Sequence, residues 1–271
     1  MKPTIKLMLA FLVMGMPLLT SFTTSEKVKS TIKEENITYV ADGVTMKGFV
    51  VYDSDIKGKR PAVLVVPEWW GLNDYPTNRS LQLAALGYIA MAVDMYGNGK
   101  IAADPKEAQA LAGTFYQNPQ LGKTRLDAAI KKIKEYPQTD PANLAAIGYC
   151  FGGSVVLNCA KLGSDLEGVV SFHGGLAGVK PDKSLLKSKI LVCHGGSDNF
   201  VPQHDIDVFK HQLDSVGANY SVKVYPNATH AFSNPDATAT GKKFNMPIEY
   251  NAEADKNSWN DMKVFFASLF K

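Results

Sequence analysis

The segment G-Y-C-F-G-G at residues 148–153 constrains the fold of this chain more than any other part of it. The mostly apolar run 143–147 before it is typical of a buried strand, and residues 154–161 after it are typical of a helix. A strand that passes directly into a helix turns sharply, and a Cβ at Gly148 or Gly152 would crowd that turn. The pattern therefore predicts a tight strand-to-helix turn that presents the side chain of Cys150, a position suited to a nucleophile.

Strands and helices alternate along the rest of the chain. Predicted strands occupy 61–67, 88–93, 143–147, 168–172, 189–194 and 220–225. Predicted helices occupy 79–86, 105–117, 121–136, 154–161, 205–215 and 257–269. Two further strands, 37–40 and 46–52, flank Asp42 and Gly43, a pair typical of a hairpin turn. We therefore predict an α/β fold, with a mainly parallel central sheet, helices on both faces and an antiparallel N-terminal edge hairpin.

The N-terminal residues predict an export signal. Two lysines precede a mostly apolar run at 7–19, and small and polar residues follow at 20–25. This order is typical of a secretory signal peptide, and the apolar run is short for a membrane span. We predict a signal over 1–22, a loose lead-in over 23–36 and a single domain over 37–271. Export to the periplasm or the medium, with no stable membrane span after cleavage, is the expectation; an uncleaved membrane anchor is the alternative.

Charge and cysteine content exclude several classes of function. The formal net charge of +3 falls to +1 when the two lysines of the signal are removed, and no basic run remains, so nucleic acid is not an expected partner. We find no metal-ligand spacing and no glycine-rich phosphate loop, so neither a metal nor a cofactor is expected. Three cysteines argue against a disulfide framework and leave at least one free thiol. Cys159 and Cys193 are expected to fill core volume, with a bridge between them as the alternative.

An aspartate and a histidine later in the chain than Cys150 complete a candidate catalytic set. A cysteine nucleophile needs a base, and the base needs an acid that orients it. Asp198 follows the predicted strand 189–194, and His230 follows the predicted strand 220–225. Because the carboxyl ends of parallel strands meet at one edge of a sheet, we predict a catalytic triad of Cys150, Asp198 and His230. His173, at another strand end, is interpreted as a structural histidine.

The loop after strand 61–67 predicts the remaining parts of the site. An ester carbonyl under attack needs two N–H donors for its oxygen, and we assign them to the backbones of Phe151 and Trp69. Glu68 lies in the same loop, beside two tryptophans. This loop must approach Cys150, so Glu68 is predicted to hydrogen-bond the thiol and to keep it protonated until substrate arrives.

Taken together, these motifs resemble the dienelactone hydrolase family, whose members are α/β-hydrolases with a cysteine nucleophile. The resemblance rests on PEWWGLN at 67–73, VDMY at 93–96, GYCFGG at 148–153, GSD at 196–198, VP at 201–202 and THAF at 229–232. It runs in order from about residue 37 to the C-terminus. The resemblance implies a Cys-His-Asp esterase or lactonase in which Glu68 holds the resting Cys150 and helps it to become a thiolate.

The chain departs from that family where substrate would bind. Family members hold the substrate carboxylate with arginines, one of them four residues after the catalytic histidine, where this chain has Asn234. A neutral amide cannot replace a guanidinium on a carboxylate, so a substrate other than dienelactone is expected. We assign Trp70, Tyr96 and Asn234 to the substrate pocket, and the aromatic residues favour an apolar or aromatic acyl or lactone group.

The leading hypothesis is an exported hydrolase of carboxylic esters or lactones that uses Cys150 and an acyl-enzyme intermediate. Its expected partner is a small-molecule ester or lactone, and the protein is expected to be a monomer or a small homo-oligomer. Two alternatives stay open. One is an amide hydrolase with the same triad, and the other is a non-catalytic small-molecule binding protein on the same scaffold.

Overall fold

The computed structural model describes Met1 and residues 31–270 of the chain. The signal peptide predicted over 1–22 lies outside the described residues apart from Met1, and so does most of the predicted lead-in. Within the described part, no helix combines the length and the apolarity that a membrane crossing requires.

Eight strands form one sheet. In chain order they are β1 (Ile32–Ala41), β2 (Val44–Asp53), β3 (Arg60–Val66), β4 (Ile89–Ala92), β5 (Thr139–Tyr149), β6 (Gly168–Phe172), β7 (Lys189–Gly195) and β8 (Tyr220–Tyr225). Their order across the sheet is β1-β2-β4-β3-β5-β6-β7-β8. β1 pairs antiparallel with β2, and β2 pairs antiparallel with β4, while all other neighbours are parallel. The predicted fold class, including the antiparallel edge hairpin, is confirmed.

Seven helices accompany the sheet. They are α1 (Asp74–Ala85), α2 (Pro105–Gln117), α3 (Pro119–Lys134), α4 (Phe151–Lys161), α5 (Gln203–Ser215), α6 (Ala237–Phe244) and α7 (Ala252–Leu269). Successive residues of β3 alternate between two apolar clusters. Leu64 packs with residues of α2 to α5, whereas Val65 packs with residues of α1 and α7. Since successive strand side chains point to opposite faces, the sheet is covered on both sides.

The N-terminal hairpin begins earlier than predicted. The loose lead-in predicted over 23–36 is wrong for residues 32–36, which form the first half of β1 and pair with the end of β2 from Ile32 opposite Asp53 onward. The charged residues of this segment obscure the apolar alternation that predicts a strand. Charge on an edge strand is a common protection against pairing with other chains. The predicted turn is confirmed: Asp42 and Gly43 both have positive φ, 51° and 72°, as a two-residue hairpin turn requires.

Helix α6 is absent from the sequence prediction. Its residues, ATATGKKF, include two β-branched threonines and a glycine, which favour helix weakly. Tertiary contact explains it instead: a Cβ at Gly241 would lie 2.5 Å from the carbonyl oxygen of Ile248, so the helix packs closely against the chain that follows it. Ile248 in turn forms an isolated parallel bridge with His230. The segment after His230 therefore folds back over the carboxyl edge of the sheet.

Candidate active site

Cys150 occupies the tight turn between β5 and α4. Its backbone has φ 51° and ψ −114°, a region that costs a non-glycine residue about 1–3 kcal/mol. The neighbouring glycines make this turn sterically feasible. A Cβ at Gly148 would lie 2.1 Å from the Gly152 carbonyl oxygen, and a Cβ at Gly152 would lie 2.3 Å from that of Val66. The sharp turn predicted from these glycines is present, with Cys150 half-buried at its apex.

His230 and Asp198 form a hydrogen-bonded pair beside Cys150. Nδ1 of His230 lies 2.8 Å from Oδ2 of Asp198, whose side chain has no exposed surface. An ionised carboxylate only accepts, so Nδ1 carries a proton and donates it, which leaves Nε2 for the sulfur. Burial opposes a charge on His230, but the charge of the Cys150 thiolate and the hydrogen bond to Asp198 raise the pKa of His230 to about 10. A protonated imidazole is thus favoured when Cys150 is a thiolate.

The loop after β3 lines the same cavity as Cys150. The hydroxyl of Tyr96 donates to the carbonyl oxygen of Trp69 at 2.9 Å, and the N–H of Gly71 donates to that of Glu68 at 3.1 Å. Across residues 31–270, the backbone N–H groups of Trp69 and Phe151 have no hydrogen-bond acceptor. Phe151 is the first residue of α4, where such free donors are expected. Both N–H groups assigned to the oxyanion are therefore available for a ligand.

Glu68 is buried and pairs with Asn234. Its carboxylate accepts a 2.7 Å hydrogen bond from Nδ2 of Asn234, and the residue is 3% exposed. Burial raises the pKa of Glu68 to about 7, and the Asn234 hydrogen bond and the nearby His230 moderate the rise. Among the described residues, the hydrogen bond found at this carboxylate comes from Asn234 and not from the thiol. The thiol-activating role of Glu68 stays a prediction, although Glu68 and Cys150 line the same cavity.

A cavity of about 750 Å³ opens at this edge of the sheet. Its wall contains the two predicted pocket residues Trp70 and Asn234, and it continues along the segment that carries Ile248. Tyr96, also predicted to line the pocket, lies behind the wall, where its ring packs against Phe151 at a centroid distance of 5.6 Å. Further lining comes from residues with no sequence signal of their own: Tyr116, Phe200 and Met246.

The remaining cysteines are structural. Cys159 and Cys193 are buried and form no disulfide, which confirms their predicted place in the core. In the part of the chain that the structure describes, no group of three His, Cys, Asp or Glu side chains is arranged to hold a metal ion. The cavity is lined by the thiol of Cys150, the imidazole of His230 and the carboxylate of Glu68, beside the backbone N–H groups of Trp69 and Phe151.

Comparison with known proteins agrees with this geometry. A model of the Dienelactone hydrolase family matches residues 46–270. Protein usf of Aquifex pyrophilus is 29% identical over 206 residues, which cover 73% of this chain and 86% of that protein. A crystal structure of a dienelactone hydrolase-like promiscuous phosphotriesterase from metagenomic libraries is 30% identical, with a TM-score of 0.83 over 89% of this chain and 99% of that one. The structure of m3DLH is 31% identical, with a TM-score of 0.84 over the same shares. The resemblance inferred from the motifs is confirmed, and this chain belongs to the dienelactone hydrolase family.

Proposed function

We propose that this protein hydrolyses carboxylic esters or lactones through Cys150, His230 and Asp198, with an acyl-enzyme intermediate. One observation carries the proposal. The imidazole of His230 is oriented by the buried Asp198 and lines the same cavity as Cys150, which occupies a strained turn. A nucleophile, a base and an orienting acid in this arrangement can carry out acyl transfer.

The first half of the reaction forms a thioester. The Cys150 thiolate attacks the carbonyl carbon, and the carbonyl π electrons move to the oxygen, which accepts hydrogen bonds from the N–H groups of Phe151 and Trp69. As the C–O bond breaks, the His230 imidazolium gives its Nε2 proton to the departing alkoxide. Throughout the reaction, Asp198 accepts the hydrogen bond from Nδ1 of His230 and so keeps the proton on that nitrogen. For a lactone the released alcohol remains attached to the acyl chain.

The second half of the reaction hydrolyses the thioester and regenerates the free enzyme. Neutral His230 removes a proton from a water molecule, and the resulting hydroxide attacks the thioester carbonyl. The S–C bond then breaks and releases the carboxylic acid and the Cys150 thiolate, while the proton on His230 restores the imidazolium. Every atom and proton that is transferred belongs to the substrate, the water, Cys150 or His230.

The test uses mature protein and p-nitrophenyl acetate. Cys150→Ala and His230→Ala should each lower kcat/KM at least about 1000-fold, the loss expected when one member of such a triad is removed. Cys159→Ala removes a buried thiol, and His211→Ala removes an exposed imidazole; both should retain turnover in proportion to the folded fraction seen by circular dichroism. Wild-type turnover in either triad variant would contradict the proposal.

The same protein variants distinguish the ester hydrolase from the two alternative functions. Amide turnover without ester turnover would favour the amide hydrolase, and saturable ligand binding without turnover of any ester, lactone or amide would favour the binding protein. A second activity is supported by the 30% identity to a structure described as a promiscuous phosphotriesterase. Release of p-nitrophenol from a diethyl p-nitrophenyl phosphate, lost in Cys150→Ala, would support phosphotriester hydrolysis at the same thiol.

We also propose that the protein is exported, on the basis of the lysines and the apolar run within 1–22. Expression of the full chain in a Gram-negative host, followed by fractionation and N-terminal sequencing, tests this. A periplasmic or secreted product that begins near residue 23 is expected. An intact N-terminus on cytoplasmic protein would contradict export, and an intact N-terminus in the membrane fraction would favour the uncleaved anchor.

A further inference from the structure

Among the described residues, no lysine or arginine lines the catalytic cavity, and its one carboxylate is that of Glu68. The cation in its wall is the His230 imidazolium, which the proposed mechanism pairs with the Cys150 thiolate. Arg79, whose charge acts on Glu68, is buried and engaged with the Ser233 carbonyl oxygen at 2.6 Å and with Asp255. It therefore stabilises the loop behind the cavity and cannot turn toward a ligand without breaking a buried ion pair.

Asn234 is already engaged on both sides of its amide. One of its two Nδ2 hydrogens is donated to Glu68 at 2.7 Å, and its Oδ1 accepts from the backbone N–H of Asp236 at 3.0 Å. A substrate carboxylate that accepted the second Nδ2 hydrogen would lie beside the Glu68 carboxylate. Two carboxylates in a buried site disfavour each other strongly.

Most of the remaining wall is apolar and aromatic, and the uncharged polar side chains in it are Gln109, Gln117, Thr240 and Asn245. Trp70 stacks on Phe244 at a centroid distance of 5.7 Å, and Phe200 packs against His230 at 5.1 Å. Ile248 and Met246 continue this surface along the segment after α6. We infer that the substrates of this site are uncharged esters or lactones with an apolar acyl group, and that a carboxylate on the acyl chain prevents productive binding. This inference rests on the proposed function and specifies its substrate class.

Two matched esters test the charge. In p-nitrophenyl butanoate and mono-p-nitrophenyl succinate the leaving group and chain length agree, and a methyl group in one replaces a carboxylate in the other. At pH 7.5 we expect kcat/KM for the succinate to be at least about 100-fold lower, because the Coulomb repulsion acts in a site of low dielectric. Glu68→Gln should reduce that ratio about tenfold, whatever its effect on the thiol, since a ratio of two substrates cancels a shared loss. Exposed Glu249→Gln should leave the ratio unchanged.

Each outcome decides a separate point. Comparable turnover of the two esters, or faster turnover of the succinate, would overturn the inference and leave the proposed function standing. A ratio that Glu68→Gln does not change would overturn the charge explanation. Absence of turnover with both esters would overturn the proposed function and this inference together.

A second inference concerns His173, a fully buried residue at the end of β6. The backbone N–H of Cys150 is shared between Nδ1 of His173 at 3.1 Å and the carbonyl oxygen of Phe172 at 3.0 Å, and Nε2 of His173 lies 2.7 Å from the hydroxyl of Ser233. Burial holds the pKa of His173 well below its usual value, so the ring is neutral. Because Nδ1 is the acceptor, the single proton lies on Nε2 and is donated to Ser233.

This imidazole joins two parts of the proposed machinery. It holds the strained backbone of Cys150 on one side, and on the other it holds Ser233, three residues beyond His230. The rings of His173 and His230 also meet edge to face at 5.3 Å between centroids. We propose that His173 is a positioning residue that fixes the distance between the Cys150 sulfur and the His230 ring.

The test compares graded substitutions on p-nitrophenyl butanoate. His173→Leu removes both hydrogen bonds and should lower kcat at least about tenfold with KM nearly unchanged, whereas His173→Asn keeps an acceptor near Nδ1 and should recover part of the loss. Ser233→Ala removes one bond and should lower kcat about fivefold. Full kcat in Ser233→Ala, or equal kcat in folded Leu and Asn variants, would overturn this proposal. If His173→Leu does not fold, Ser233→Ala alone decides.

Discussion

The burial of the Glu68 carboxylate has an effect on the free energy of unfolding that can be measured. Burial raises its pKa from 4.5 to about 7. In the unfolded chain the carboxyl loses its proton at lower pH than in the folded protein, so the folded state becomes relatively less stable as pH rises through this window. This rise in pKa lowers the free energy of unfolding by about 3 kcal/mol once Glu68 is ionised in both the folded and the unfolded state. Glu68→Gln keeps the shape and an oxygen for Asn234 but has no charge to bury.

We therefore expect Glu68→Gln to exceed the wild type in free energy of unfolding by about 3 kcal/mol at pH 8 and by about 1 kcal/mol or less at pH 5. Urea denaturation followed by tryptophan fluorescence at several pH values between these limits measures the difference. Glu249→Gln, at an exposed position, is the matched control, and its free energy of unfolding should change with pH as that of the wild type does. A free energy of unfolding for Glu68→Gln that follows the wild type at every pH, or that is lower than the wild type at pH 8, would refute the argument from burial.

Three other changes test separate parts of the structure. Asp198→Asn should lower kcat about 10,000-fold on p-nitrophenyl butanoate in a folded protein, because His230 is then held in the wrong tautomer; a loss below about tenfold would contradict this. Burial lowers the Lys161 pKa to about 8, and its Nζ has no hydrogen-bond partner among the described residues, so Lys161→Met should raise the free energy of unfolding at pH 7 by about 3 kcal/mol. This increase in stability should become smaller as pH rises from about 8 to 10.5, because the folded lysine loses its charge first and the unfolded lysine loses it last. An increase in stability that does not depend on pH would contradict the argument from burial. Gly152→Ala should lower the free energy of unfolding by at least about 1–3 kcal/mol, whereas Gly113→Ala, with open space around its Cβ position, should raise it; equal urea midpoints would contradict the steric reading.

The fold could be predicted because its signals are local. Runs apolar on both sides, such as residues 168–172, are typical of buried parallel strands and match β6. The hairpin turn follows from the tolerance of Asp42 and Gly43 for positive φ. The close approach of His230 and Asp198 follows from topology, because loops after β7 and β8 leave the same edge of the sheet.

The features that were not predicted depend on distant contacts. The hydrogen bond between Glu68 and Asn234 joins residues 166 positions apart, and neither residue has a neighbour in sequence that indicates the other. The sequence identifies His173 only as a strand-end histidine, because its place between Cys150 and Ser233 depends on three loops that meet in the folded chain. Helix α6 depends on packing at Gly241 rather than on propensity.

Trapping the acyl-enzyme identifies the nucleophile. Wild-type protein is mixed with p-nitrophenyl butanoate, quenched in acid within the first turnover and digested for mass spectrometry. We expect one butanoyl group on the peptide that contains Cys150, absent after prolonged incubation and absent in Cys150→Ala. Turnover in the wild type with no adduct on Cys150, or with the acyl group on a different residue, would contradict this expectation.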